Sequence, residues 1–393
     1  MGLEIGDIQR SLAAEGLDGW LLYDFHGSNP IAARLAGLLN GPHMTTRRWY
    51  YLIPASGEPK ALVHAIERHN LDHLPGAKTV YAGREQLDAG LTALLQGRRR
   101  IAMEYSPGCA IPYLSRLDAG TAESLRARGV DILSSGNLVQ RFEATWSPRQ
   151  LETHRRASEA LYRIKDRAFE VASRALRSGE PLTEYALQQQ MADWFVQEGL
   201  VSDSAPVVAL GANAGNPHYL PVAADSRTIE PDSVLLLDLW GKMSEPEAVY
   251  ADITWVGMTG RQVAPDVARA FGAIAAARDA AVALVSDAVR DGHDLHGFEV
   301  DKRARGVLES AGYGHAILHR TGHSLGESVH GNGVHLDDYE THDDRLILPG
   351  AGFTVEPGLY FEAFGVRTEI NVYRGDREVL VTGARQQEVA TLL

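Results

Sequence analysis

Cysteine is all but missing from this 393-residue chain: Cys109 stands alone, so no intrachain disulfide can form and a reducing compartment, the cytoplasm, is the expected address. An excess of positive charge is missing too. With 38 Lys and Arg against 51 Asp and Glu, the formal charge is -13, and neither a phosphate backbone nor an anionic lipid surface attracts such a protein. Nucleic acid and membrane are therefore excluded as expected partners. No apolar run approaches the length of a membrane span, and Glu4, Asp7, Arg10, Glu15 and Asp18 occupy the stretch where a secretory leader would need an apolar core. There is no short repeat and no low-complexity segment. What is present is a 45% hydrophobic fraction over a length that favours two domains.

The first third reads as a small α/β unit. Helical apolar spacing covers residues 8–17, strand-like runs lie at 19–23, 50–53, 61–63, 100–104 and 130–133, and a short helix fits 121–128. A boundary is expected at 147/148, where Ser147 can cap a helix that holds Pro148 in its first turn and runs amphipathically to Arg177 before Gly179 and Pro181 end it. Further helices are expected at 181–199, 263–291 and 297–310.

The chemistry-bearing residues gather in the last 160 positions. Val234-Leu-Leu-Leu237 is a continuous apolar run of the kind covered on both faces, and Asp238 follows it at once. A carboxylate there is costly unless paired or metal-bound. Residues 250–256 read as the returning strand of a long hairpin, so Asp238 and Asp252 can converge on one cleft. Glu356 follows an apolar run in Thr354-Val-Glu356-Pro-Gly358. In residues 365–371 strand alternation puts Arg367, Glu369 and Asn371 on one face. With His323, the set is four carboxylates and one imidazole, suited to hard or borderline divalent ions.

Two rival motifs overlap His323. His319 and His323 are four apart, as in a zinc-protease helix, but Arg320 stands where that motif needs Glu, and Gly322 and Gly326 disfavour a helix. Gly322-His-Ser324-Leu-Gly326 matches the nucleophile elbow of serine hydrolases, which would make Ser324 an acyl-transfer nucleophile. That motif needs a buried strand before it and a helix after it, whereas a glycine-rich loop sequence follows here. His218, after Gly215-Asn216-Pro217, is expected at a loop tip.

Asp238, Asp-Ile-Thr at 252–254, His-x-x-Gly-His at 319–323 with Gly326 and His330, Glu-Pro-Gly at 356–358 and Val-Arg-x-Glu at 366–369 together resemble the prolidase and aminopeptidase P group of pita-bread metallopeptidases. The resemblance covers essentially the whole chain. It implies an α/β (α+β) fold with a creatinase-like amino-terminal domain, residues 1–147, and a pita-bread catalytic domain, residues 148–393. It implies two divalent ions per chain, manganese favoured over cobalt or zinc, bound by Asp238, Asp252, His323, Glu356 and Glu369. In the same pattern His218, His319 and His330 are substrate-side histidines, Glu356 carries a proton to the leaving nitrogen, and Arg367 orients carboxylates.

The activity implied is hydrolysis of the Xaa-Pro bond in dipeptides, by a homodimer acting on small peptides with proline second. Xaa-Pro aminopeptidase action on longer peptides and a non-peptide hydrolase or lyase on the same fold are the alternatives. The chain departs from the family pattern in three places: the two aspartates are 14 apart, implying an insertion within 242–248 at the cleft rim, Trp255 follows Asp-Ile-Thr, and Ile370 follows Glu369. These departures bear on substrate preference.

Overall fold

The computed structural model describes residues 3–39 and 44–393, which divide into two compact units, Met1–Ala144 and Thr145–Leu393. The first unit is one six-stranded sheet with helices. Its strands are β1 (Gly19–Asp24), β2 (Trp49–Pro54), β3 (Lys60–His64), β4 (Ala77–Tyr81), β5 (Arg100–Met103) and β6 (Asp131–Ser134), in the order β4-β3-β2-β1-β5-β6. Helices α1 (Ile5–Ala14), α2 (Pro30–Leu35), α3 (Arg84–Leu95), α4 (Ala119–Arg126) and α5 (Gly136–Val139) accompany it. Helix α1 ends earlier than the apolar spacing over 8–17 suggests, because Gly16 turns the chain at a positive φ of 63°. The expected pattern also lacked α2, α3 and β4, whose short or mostly exposed segments carry little periodic signal.

The second unit opens with α6 (Pro148–Ser178), capped by Ser147 in a reciprocal bond pair with Gln150 and closed by left-handed Gly179. Next come α7 (Glu184–Gln197) and the strands β7 (Leu200–Val201), β8 (Val207–Leu210), β9 (Val234–Met243) and β10 (Ala251–Met258). Helices α8 (Pro265–Asp291) and α9 (Gly297–Ser310) precede β11 (Gly352–Val355), β12 (Gly358–Tyr360), β13 (Gly365–Arg367), β14 (Ile370–Arg374), β15 (Val379–Thr382) and β16 (Ala390–Thr391). Strand β9 is central: β10, β8 and β7 all pair with it antiparallel.

Alternation along β9 explains its apolar run. Leu235, Leu237 and Leu239 face a core shared with Leu161 and Ile164 of α6 and Leu187 and Met191 of α7. Val234 and Leu236 face a second core with Phe271 and Ile274 of α8, Val300 of α9 and Phe353 of β11. Asp238 continues this second row, so the fold sets a carboxylate where the next side chain would be core.

His154 of α6 ties the unit together. Its Nδ1 donates to the Tyr250 carbonyl at 2.8 Å and its Nε2 accepts from Thr382 Oγ1 at 2.7 Å, which defines a neutral ring. Burial lowers its pKa from 6.5 to about 4. The unfolded chain therefore takes up this proton first, so the stability contributed by the neutral ring is complete above about pH 6.5 and is lost as pH falls toward 4, at about 1.4 kcal/mol per pH unit. Urea unfolding of His154→Gln against the parent from pH 7 to 4 is expected to show a slope shallower by about that amount; identical slopes would contradict it.

Candidate metal centre

The β9–β10 hairpin sets the site's floor. In its register Asp238 lies opposite Thr254, and Asp252 opposite Trp240, so both aspartates and the threonine share one face. Asn371 of β14 fixes β10 from the side, its Oδ1 accepting from Asp252 N at 2.9 Å and its Nδ2 donating to the Asp252 carbonyl. Glu369, between β13 and β14, donates its backbone N–H to the Thr254 carbonyl at 3.2 Å and turns its carboxylate to the Thr254 hydroxyl at 2.8 Å.

Arg367 is the guanidinium at the centre of this cluster. It donates to Thr254 Oγ1 at 2.9 Å, to Tyr360 Oη at 2.8 Å and to Asp238 Oδ2. Thr254 has one hydroxyl proton for two carboxylates, Asp238 at 3.2 Å and Glu369 at 2.8 Å, and the shorter approach favours Glu369. The run 365–371 is broken between β13 and β14 rather than one strand, yet Arg367, Glu369 and Asn371 all still reach the β9–β10 hairpin.

His323 approaches from the facing segment, which runs beside β11. Its N–H donates to Thr354 Oγ1 at 2.9 Å and its carbonyl accepts from Thr354 N at 2.8 Å, while Trp146 Nε1 donates to the Leu325 carbonyl at 2.9 Å. His323 Nδ1 lies 3.1 Å from the Ser324 carbonyl and so carries the proton. Nε2 is left as a lone pair 3.6 Å from Asp252 and 3.5 Å from Glu356. Burial holds the imidazole below its usual range. A bare lone pair facing two carboxylate oxygens is repulsive, and a cation between them reverses the sign.

Other orphaned atoms point to the same space. Asp252 Oδ1 and Glu369 Oε1 are buried without a hydrogen-bond partner, and ligand atoms of Asp252, His323 and Glu369 all lie within 4.8 Å of one another. Burial, then the neighbouring carboxylates, push both acids well above their ordinary range. Oxygen-rich donors with one imidazole fit a divalent cation. Glu356 also faces His323, receives Thr354 Oγ1 at 3.2 Å, and at 14% side-chain exposure is more open than Asp238, Asp252 or His323.

The three histidines expected beside the substrate differ in setting. His330 is exposed, with its ring edge-to-face on His323 at 4.4 Å. His218 is exposed on its loop, close enough to act electrostatically on His330. His319 lies deeper: its Nδ1 donates to the Arg320 carbonyl at 2.7 Å and its Nε2 accepts from Tyr360 Oη, also at 2.7 Å, completing a chain from Arg367. Ser324, the elbow candidate, is buried, accepts from Gly333 N through its hydroxyl at 3.1 Å, and no helix follows it among the described residues. The elbow's required context is absent. Trp255 and Ile370 turn away from the cleft: Trp255 meets the Lys165 ammonium at 3.8 Å on the α6 side, and Ile370 lies in the core with α8.

Two working residues gave no sequence signal. Tyr360 could have been any core aromatic, and Glu184 resembles an ordinary first-turn helix carboxylate. Fully buried Glu184 accepts from Leu210 N at 2.6 Å, Asn213 Nδ2 at 3.0 Å, Tyr219 Oη at 2.6 Å and Arg227 N at 2.9 Å, which pins both ends of the segment bearing His218. Glu184→Gln turns an acceptor into a donor facing donors and is expected to cost about 1–3 kcal/mol. Amide exchange should accelerate selectively across 210–227; uniform exchange would refute the clamp.

The model of metallopeptidase family M24 matches residues 153–376. The Xaa-Pro dipeptidase of Lactobacillus delbrueckii subsp. lactis is 31% identical over 207 residues, 52% of this chain and 51% of that protein, so the chain matches about half the length of this relative. Two solved structures share the fold over nearly the full length. Dipeptidase PepE from Mycobacterium ulcerans superposes with TM-score 0.69 at 23% identity, covering 99% of this chain and 96% of its own. Recombinant prolidase from Thermococcus sibiricus gives 0.64 at 21%, covering 99% and 98%. With the family model spanning both hairpin aspartates, His323, Glu356 and Glu369, the chain belongs to metallopeptidase family M24, the pita-bread metallopeptidases.

Proposed function

We propose that this metallopeptidase hydrolyses the Xaa-Pro bond of dipeptides, using two divalent ions held by Asp238, Asp252, His323, Glu356 and Glu369. The observation that carries the reading is the convergence of Asp252, His323 and Glu369, with bare acceptor atoms, on one buried space. The similarity to Xaa-Pro dipeptidase supports the substrate class.

Charge favours two ions over one. Four carboxylates against the Arg367 guanidinium give a formal -3; one divalent ion leaves -1, whereas two leave +1, the sign that stabilises an oxyanion. Manganese suits the oxygen-rich set best, with cobalt or zinc as alternatives. Bound ions would supply Lewis acidity, polarising the scissile carbonyl and acidifying a water.

The chain's own groups do the rest. Glu356, the most open carboxylate, is placed to take a proton and deliver it to the proline nitrogen. That nitrogen belongs to a tertiary amide with no N–H, so ordinary peptide-backbone recognition fails and a dedicated site is needed. His330, beside His323, and His218 are the donors facing the substrate. His319 acts from behind by fixing Tyr360, and Arg367 by fixing Asp238 and Thr254. Action on longer Xaa-Pro peptides is the nearer alternative to dipeptide specificity.

A panel of Xaa-Pro dipeptides, Xaa-Pro-Yaa peptides and non-proline controls with Mn²⁺ should show turnover confined to proline substrates and fastest on dipeptides. No cleavage of any proline substrate would sink the assignment, and activity that survives a chelator but not a serine-directed phosphonate would return the chemistry to Ser324.

Metal content near two ions per chain is expected, and Asp252→Asn should lose it. Both Asp252 and Glu369 have native pKa values above their unfolded ones, so the stability of the metal-free protein falls as pH rises through those values. Removing one charge therefore stabilises that form. Asp252→Asn is expected to melt about 2–4 °C above the parent in chelator at pH 7, for each kcal/mol of repulsion relieved, and below it with Mn²⁺. The same order of melting under both conditions would contradict the site.

A further inference from the structure

Two residues beyond Asp238 on the same face of β9 stands Trp240, directly opposite Asp252 in the hairpin register. Its indole packs on the cluster of Val249, Tyr250, Leu325 and Val329, next to the segment that carries His330. The indole Nε1 donates to Asp203 Oδ1 at 2.7 Å. Asp203 follows β7, is exposed, and lies close enough to Asp252 and Tyr250 for its charge to act on both. Among the described residues no Lys, Arg or His is within ion-pair distance of Asp203, and its second carboxylate oxygen makes no hydrogen bond.

A carboxylate held by an indole N–H at the margin of a catalytic cleft suits a cation through its charge. Of the three departures expected to bear on substrate preference, Trp255 and Ile370 face away from the cleft. We propose that Asp203 and Trp240 form a cation-binding corner that selects substrates with a positively charged nitrogen on the residue amino-terminal to the scissile bond. The identity of that residue rests on the peptidase reading above. The nitrogen is either the free α-ammonium or a Lys or Arg side chain, and both sources present the same chemistry to the carboxylate.

Three substrates separate the sources: Lys-Pro, norleucyl-Pro with the same carbon stem and no side-chain charge, and hexanoyl-Pro with no α-amine. In the Mn²⁺ enzyme, Asp203→Asn is expected to lower the kcat/KM ratio of Lys-Pro to norleucyl-Pro about tenfold if the side chain is read. It lowers the ratio of norleucyl-Pro to hexanoyl-Pro by about the same factor if the α-ammonium is read. Neither ratio changing overturns the corner. Calorimetric binding of the non-cleavable reduced-amide isosteres to both proteins should show the same tenfold selectivity. Binding that depends on Asp203 without any cleavage defeats the peptidase reading alone; cleavage of all three indifferent to Asp203 defeats the corner alone.

Discussion

Four carboxylates crowd one guanidinium on the inner face of the β9–β10 hairpin, and the surrounding fold can be understood as what makes that crowding tolerable. Arg367 reaches only Asp238 directly, and Thr254 has a single proton to offer between Asp238 and Glu369. Asp252 and Glu369 each keep a buried oxygen with no donor. In water these acids would spread apart; here backbone pairing prevents it, because Asp238 and Asp252 sit on antiparallel strands in fixed register and Glu369 is bonded to the Thr254 carbonyl. The repulsion is therefore built in by the sheet and relieved by a cation.

Rigidity of that kind makes the supporting layer as important as the proposed ligands. His323 presents the correct nitrogen because Ser324 takes the other ring proton, and its segment is fixed by Thr354, Gly352 and Trp146. Asn371 fixes Asp252 through backbone atoms, leaving the carboxylate unobstructed. Glu356 differs from the others in openness, which suits a group that must exchange protons with substrate and solvent. Under the proposed roles, deep ligands and an open proton carrier place opposite demands on burial, and one strand end, after β11, meets the second while the hairpin meets the first.

Much of this was legible in the sequence because it is local. An acid directly after Val234-Leu-Leu-Leu237 is anomalous wherever it occurs, and the long amphipathic pattern after Ser147-Pro148 names its own helix start. Lone side chains acting over distance were not legible. Glu184 gathers donors from four places up to residue 227, and Tyr360 matters because it joins His319 to Arg367. Neither partnership leaves a periodicity or a spacing. Local reasoning also misplaced Trp255, where the residue beside a ligand was expected to bear on substrate choice: strand alternation sends it to the opposite face, onto Lys165 and Tyr162.

That reversal narrows where specificity can reside. On β10 the residues flanking Asp252 and Thr254 point into the α6 core, so side chains there cannot meet a substrate without breaking the sheet. The rim is different. The 242–248 segment is tied down at Lys242, which donates to the Glu327 carbonyl at 2.6 Å and so braces the loop leading to His330, and at Glu245, which accepts from Arg156 at 2.6 Å. In the reading proposed above, substrate choice falls to side chains on the cleft face of β9 beyond Asp238 and on the loop that meets them. In this chain those are an indole and an acid, and the proposed metal centre is bordered by chemistry of its own.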